Sequence, residues 1–232
     1  MSSAFLGGRR RYGTRIHAQP LTGGFPGFRP ILEQGFVIKH YGRTDVLQRV
    51  FDSRTKFGQV LSLEWEETEQ GPSQFSIKIP RELAGEFTHY DRVDIHPFCD
   101  PKPWFSGYVT RVPDGRRSGW PDEVRGFGWH RFLERIRFTG TYTDQQVSAI
   151  VDTLARDVEN RTRIVYNAMK LADTDYVAAN FSPLRQEGNK AFDDLATLAG
   201  GYLWGVDASR QLFFRPVDEE GRDGTAVLDG DE

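Results

Sequence analysis

The chain has 232 residues, with 30 Lys and Arg against 33 Asp and Glu, and a formal net charge of -3. This balance excludes the overall positive charge that is typical of nucleic-acid-binding domains. The single cysteine, Cys99, excludes an internal disulfide and a cysteine-based zinc site. The chain contains no run of about 18 apolar residues, so the sequence predicts no membrane-spanning helix. Aromatic residues make up 13% of the chain, and this Gly-rich, aromatic-rich composition favours β structure over a helical bundle.

Residues 1–34 differ in composition from the rest of the chain. They are rich in Gly, Pro and Arg and show neither the period of a strand nor that of a helix. We predict an extended basic arm that becomes ordered on a partner. Its tract Arg9, Arg10 and Arg11 is a candidate interface, for which a solvated arm or a protein partner is favoured over nucleic acid.

Residues 35–140 have the pattern of antiparallel strands. Around residue 71, two apolar–polar alternations flank a Gly-Pro turn, which predicts a hairpin with one buried face. Further alternating segments bring the number of strands to about six in roughly 100 residues, the size of a small antiparallel β-barrel. The apolar residues of the hairpin are Leu61, Leu63, Trp65, Phe75, Ile77 and Ile79.

The last two strands of this region contain three glycines, Gly107, Gly126 and Gly128. Glycine inside a strand predicts a bulge or a sharp bend, which small barrels need at their corners.

The long polar loop between these two strands is a second candidate interface. It contains Arg116, Arg117 and Trp120 in the sequence RRSGWPDE. A tryptophan in a polar loop is expected to be exposed, and exposed Trp and Arg are typical of interface anchors.

Residues 141–217 predict a small α/β domain with two helices and a terminal hairpin. Thr143 and Gln146 have the spacing of a capping box at the start of the first helix, and Asn189 is the predicted cap of the second. The sequence TRIVYN between the helices predicts a short strand. Residues 218–232 form an acidic tail, expected to be ordered only by a partner. We detect no internal repeat, and the predicted fold class is α+β, mainly β.

Candidate catalytic and metal-binding groups lack the partners that their chemistry requires. The spacing of His130 and Glu134 would place both on one helix face, but a metal site needs at least one more ligand. Paired carboxylates could support glycoside hydrolysis only across a cleft, whereas these pairs are expected to be solvated or to point apart. The pairs are Glu64 with Glu66, and Asp193 with Asp194.

The sequence also lacks the patterns of cofactor binding and nucleophilic catalysis. The Gly-Phe-Gly at residues 126–128 has no third glycine and lies in a predicted antiparallel strand, unlike a phosphate-binding loop. No GxSxG elbow is present, and Cys99 lies in a Pro-rich loop. We therefore predict no catalytic, cofactor-binding or metal-binding residue.

The order of these elements resembles one family, the tail hub proteins of bacteriophages and the related type VI secretion spike base. The barrel end resembles the family in its aromatic-Gly-aromatic-Val strand, its Val-x-Gly strand and its Leu-containing helix. The next helix is similar to a Thr-capped family helix with the stripe V..IV..L, and the last segment to a helix plus hairpin. The matching residues are 105–109, 112, 124–126, 132–133, 143, 147, 150, 151, 154, 191–196, 201–204, 207 and 212–216.

The resemblance implies a structural virion protein of the baseplate or tail tip that forms a ring, with three copies expected. The ring would join the tail tube to the spike or fibres, with the distal tail adaptor and tape measure as further partners. DNA could pass through the channel without specific binding. The resemblance implies no enzymatic activity and no cofactor, and assembly would take place in the host cytoplasm.

Two alternatives remain open at this stage. One is a tail-associated cell-wall hydrolase. The other is a carbohydrate-binding adhesin module, in which aromatic side chains would stack on sugars. The aromatic residues available for such a surface are Trp104, Phe105, Trp120, Phe127 and Trp129.

Overall fold

The computed structural model describes residues 12–16, 35–54, 60–98, 100–112 and 122–217. The chain forms two units. The first comprises Met1–Leu133 and Val206–Gln211, and the second comprises Glu134–Gly205 and Leu212–Glu232.

One antiparallel sheet dominates the first unit and curls into a half-barrel. The strand order is β1-β4-β5-β8-β7-β6-β2-β3, and the short helix α1 (Arg81–Ala84) follows β5. The predicted class, α+β and mainly β, is confirmed. The strands are β1 (Tyr12–Ile16), β2 (Phe36–Tyr41), β3 (Leu47–Asp52), β4 (Ser62–Thr68), β5 (Gly71–Ile79), β6 (Arg92–Pro97), β7 (Phe105–Arg111) and β8 (Asp122–Gly128).

Period-two alternation places the apolar residues of each strand on one face of the sheet. In β5 the predicted residues Phe75, Ile77 and Ile79 are all buried. Leu63 of β4 is buried as predicted, but Leu61 precedes the strand and is 42% exposed. The core of the unit is continued by Phe36, Ile38, Phe51, Val93, Ile95, Phe105, Val109 and Val124.

The strand glycines allow close approach of neighbouring backbones. A Cβ at Gly126 would lie 2.1 Å from the carbonyl oxygen of Tyr108, and one at Gly128 would lie 1.6 Å from that of Pro72. The register between β7 and β8 shifts between Val109 and Arg111, opposite Gly126 and Arg125. The irregularity predicted for these strands therefore exists, and it lies beside one of the three glycines.

The second unit combines four short strands, two helices and a hairpin. β10 pairs with β11, and β12 pairs with β9, none of which the sequence patterns predicted. Its elements are β9 (Arg137–Thr139), β10 (Tyr142–Gln146), α2 (Val147–Arg161), β11 (Val177–Phe181), β12 (Leu184–Glu187), α3 (Gly188–Ala199), β13 (Tyr202–Val206) and β14 (Leu212–Pro216).

Both predicted helix caps are wrong. Thr143 lies within β10, and α2 begins four residues later at Val147, without a side-chain cap. Asn189 lies inside α3, which begins at Gly188. The predicted end of α3 is confirmed. Gly200 follows its last residue and has a φ of 67°, a left-handed value that is common for a glycine at the end of a helix.

The terminal hairpin β13–β14 is present as predicted. The segment TRIVYN is not a strand, although Val165 accepts a hydrogen bond from the Leu212 amide of β14. None of the helices in the described ranges is both long and apolar enough to cross a membrane.

Candidate assembly surface

The residues predicted as interfaces fall in parts of the chain that the structure does not describe. Arg9, Arg10 and Arg11 precede residue 12, and Arg116, Arg117 and Trp120 belong to the segment 113–121. The candidate surface presented here is a different one, and it lies at the edge of the sheet.

The half-barrel sheet has two terminal strands, β1 and β3. Within the described ranges each pairs on one side only, β1 with β4 and β3 with β2. A terminal strand presents a row of backbone N–H and C=O groups to any strand that adds to it. The sheet can therefore be extended at either end.

The strand β3 combines this free edge with exposed apolar side chains. Val46, Leu47 and Val50 are 57%, 49% and 44% exposed, whereas Phe51 in the same strand is buried opposite Ile38. Native edges are usually protected by charge, proline or bulges. We call β3 together with Val46 the edge surface. Its apolar residues indicate contact with another protein.

Ion pairs hold the turn that precedes β3. Asp45, with a φ of 60°, accepts from Arg92 at 3.0 Å and from Arg210 at 3.2 Å. The Arg92 guanidinium also lies 3.6 Å from the centre of the Tyr41 ring. Arg49 of β3 pairs with Glu86. These ion pairs connect the turn and β3 to other segments of the first unit.

The strand β6 carries a buried polar chain beside these ion pairs. Ser106 donates to Asp94 at 2.6 Å, and Trp129 Nε1 donates to Ser106 at 3.0 Å. Burial raises the pKa of Asp94, while the Ser106 hydrogen bond and Arg92 oppose that rise. The Asp94 carboxylate is buried and is contacted by both Ser106 and Arg92. These contacts are typical of a structural carboxylate.

The buried histidines of the first unit do not form a metal site. Burial lowers the pKa of His130 to about 4, and the charge of Arg131 adds to this effect. Burial is also the main cause that lowers the pKa of His96, and the charge of Lys39 is the second. His40 pairs with Asp91 at 2.9 Å. In the part of the chain that is described, no three His, Cys, Asp or Glu residues are grouped as metal ligands.

The geometry predicted for His130 and Glu134 is wrong. Both belong to a 3-10 helix, Trp129–Arg135, in which three residues complete a turn. Residues four apart therefore do not share a face, as they would in an α-helix.

Three of the four paired carboxylates accept hydrogen bonds from separate partners. Glu66 accepts from Gln74, Asp194 accepts from Gln186, and Asp193 accepts from Trp204 Nε1 at 2.6 Å. Burial raises the pKa of Asp193, with the Trp204 hydrogen bond opposing and Asp194 adding to the rise. The arrangement resembles a helix anchored to a strand more than an acid pair across a cleft.

Of the aromatic residues considered for carbohydrate binding, those that the structure describes do not share one surface. Phe105 is fully buried in the core, and Trp129 is buried beside Ser106. Trp104 is half-buried and stacks on Trp65 at 5.8 Å. The described members of the set therefore do not form one stacking platform.

No protein-family model and no curated protein matches the chain. Solved structures do. The 43 kDa tail protein of prophage MuSo2 from Shewanella oneidensis matches with a TM-score of 0.52 and 15% identity, over 78% of this chain and 52% of that one. The tail protein from Neisseria meningitidis MC58 matches with a TM-score of 0.51 and 11% identity, over 78% of this chain and 50% of that one.

The chain has the fold of phage tail proteins. It spans about half the length of the two tail proteins that it matches. At these identities the similarity concerns the fold alone, so the function is argued below from the edge surface.

Proposed function

We propose that this chain is a structural protein of a phage tail and forms a ring at the distal end, in the baseplate hub or tail tip. The observation that carries the proposal is the edge surface, which includes three exposed apolar residues and a strand that pairs, within the described ranges, on one side only. The tail-protein fold supports the setting. The two free edges of the sheet, β1 and β3, differ from each other. Joining one to the other between copies is a head-to-tail contact, which closes into a ring when the rotation permits.

In this proposal the ring contains three copies and joins the tail tube to the spike or fibres. The distal tail adaptor and the tape measure are its other neighbours. The net charge of -3 supports passage of DNA through the channel without specific binding. The protein acts by binding and transmitting force, without a cofactor or a catalytic step.

The termini and the polar loop have roles in the same proposal. The arm, residues 1–34, contributes β1 to the sheet of its own chain and contacts a protein partner through Arg9, Arg10 and Arg11. The loop with Arg116, Arg117 and Trp120 contacts a neighbouring subunit. A barrel domain at residues 35–140 makes the ring, a domain at 141–217 carries peripheral parts, and the tail 218–232 orders on a partner.

Native mass spectrometry of the purified chain tests the proposal. We expect three times the mass of one chain, and three or six copies per particle in purified tails. A chain that stays monomeric at high concentration and is absent from particles would contradict it. Clearing of a cell-wall gel that is abolished by one carboxylate-to-amide change would instead favour a hydrolase.

A further inference from the structure

The second unit contains two ββα elements of the same design. The first is β9–β10–α2 and the second is β11–β12–α3. The helices begin at Val147 and Gly188, a separation of 188 - 147 = 41 residues. The residues before them have nearly identical backbone angles, φ -60° and ψ 138° at Gln146, and φ -60° and ψ 139° at Glu187.

A rare backbone conformation repeats at the same spacing. Asp144 and Arg185 both have a φ of 50°, and 185 - 144 is again 41. A positive φ is uncommon for a residue other than glycine. Two such residues, each three positions before a helix, indicate one local design used twice.

The buried faces of the two helices correspond position by position. Every buried residue of α3 lies 41 positions after a buried residue of α2, although the residue types mostly differ. The pairs are Val147 and Gly188, Ile150 and Ala191, Val151 and Phe192, Leu154 and Leu195, and Ala155 and Ala196.

Asp152 and Asp193 are identical residues 41 positions apart, and they make matching contacts. Asp152 of α2 accepts from the hydroxyl of Tyr166, and Asp193 of α3 accepts from the indole N–H of Trp204. In each case an aromatic donor from the segment after the helix binds the helix carboxylate. Gln145 and Gln186 are also identical.

The two elements complete each other reciprocally. Strand β10 of the first pairs with β11 of the second, and β12 of the second pairs with β9 of the first. The first amide of α2 donates to the carbonyl of Tyr176, which precedes β11, and that of α3 donates to Ile136, which precedes β9, both at 3.0 Å. Exchanging the two elements maps strand pair onto strand pair and helix start onto helix start, as an approximate twofold axis does, although the two acceptor carbonyls are 176 - 136 = 40 residues apart.

We infer that residues 137–199 of the second unit are an internal duplication of one ββα element with approximate twofold symmetry, and that the two halves open and close as a single cooperative module. The physical reason is the reciprocal exchange. Each helix starts on a carbonyl that the other half supplies, and each half holds one strand of both pairs. Loss of either half therefore removes the strand partners and the helix cap of the other.

An exchange of helix segments in the full chain tests the duplication. Residues 147–155 and 188–196 are swapped in register, which keeps both aspartates and leaves the summed core volume unchanged. We expect both helices to keep amide protection from hydrogen exchange, with a melting temperature lower by about 10 °C. The control swaps residues 148–156 with 188–196, one position out of register, and should lose that protection. Equal behaviour of the two swaps would overturn the duplication.

Native-state hydrogen exchange tests the cooperativity separately. Leu154→Ala in α2 should increase the exchange rates of α3 amides by the same factor as those of α2, and Leu195→Ala should do the same in reverse. The exposed Thr153→Ala and Thr197→Ala are the matched controls, since each removes one hydroxyl that bonds its own helix. A variant that opens only its own helix would overturn the reciprocal mechanism.

Discussion

At the scale of single residues, glycines in β7 and β8 occupy positions that leave no room for a side chain. Gly107 and Gly128 face each other across β7 and β8. At Gly107 a Cβ would lie 2.4 Å from the Phe127 oxygen. Glycine is needed here because neighbouring main chains approach too closely for any side chain.

We expect Gly128→Ala to destabilise the first unit by about 3 kcal/mol or more, because the new Cβ would clash with a main-chain oxygen that cannot rotate away. Gly85→Ala is the control, since its Cβ would meet nothing within 4 Å. Urea unfolding of both variants measures the difference. Equal stability of the two would show that β8 can shift from Pro72 at little cost.

His130 should make the stability of the first unit depend on pH. Burial lowers its pKa from 6.5 to about 4, so below pH 6.5 the unfolded chain takes up a proton that the folded chain does not. Stability should therefore be constant above pH 7 and fall by about 2 kcal/mol between pH 7 and pH 5. His130→Asn should remove this part of the slope, and the exposed His89→Gln should keep it. Urea unfolding at the two pH values provides the test.

At the scale of elements, the helix starts depend on distant parts of the chain. The first amides of α2 donate to the Tyr176 carbonyl and to the Thr174 hydroxyl. Thr143 has the right spacing for a capping box, but it is paired in β10 opposite Asn180. Pairing with a strand that lies more than 30 residues later therefore prevailed over local capping.

A proline at the start of α2 should measure how much the hydrogen bond from Val147 to Tyr176 contributes to stability. The first helical position normally accepts proline, and the backbone of Gln146 suits it. We expect Val147→Pro to be less stable than Val147→Ala by about 1–2 kcal/mol, because only proline removes the N–H that binds Tyr176. Thermal unfolding of both variants measures this. If the proline variant is as stable as the alanine variant or more stable, the hydrogen bond makes no net contribution to the free energy of unfolding.

At the scale of the whole molecule, the proposed ring depends on the edge surface. A Lys on an edge strand opposes addition of another strand by charge and desolvation. Neither Leu47 nor Val50 is in the core, so charge at these positions should affect association more than folding.

We expect the double substitution Leu47→Lys with Val50→Lys to convert the oligomer to monomers at micromolar concentration, with an association loss of at least about 2 kcal/mol. Leu184→Lys is the control, because Leu184 is 81% exposed and belongs to the second unit. Mass photometry distinguishes the two. A double variant that assembles like the control would place the subunit contact elsewhere.

The repeat in the second unit shows why similarity within a sequence can escape detection. Few of the equivalent positions are identical, and the buried pairs differ in size, as Ile150 and Ala191 do. The two halves share backbone angles and burial rather than residue types. A small residue in one helix can pack against a larger one in the other, so the core constrains their sum.

The sequence by itself determined the β-rich class, the hairpin around Gly71, the buried faces of β5 and α2, and the end of α3 at Gly200. These features follow from periodicity and from the conformational freedom of glycine, which act over a few residues. Only the tertiary structure decided the helix starts, the strands β9 to β12, the duplication and the edge surface. Each of these features depends on which strands pair. Strand pairing is decided by residues far apart in the chain, and the local pattern of a strand does not indicate which strand it pairs with.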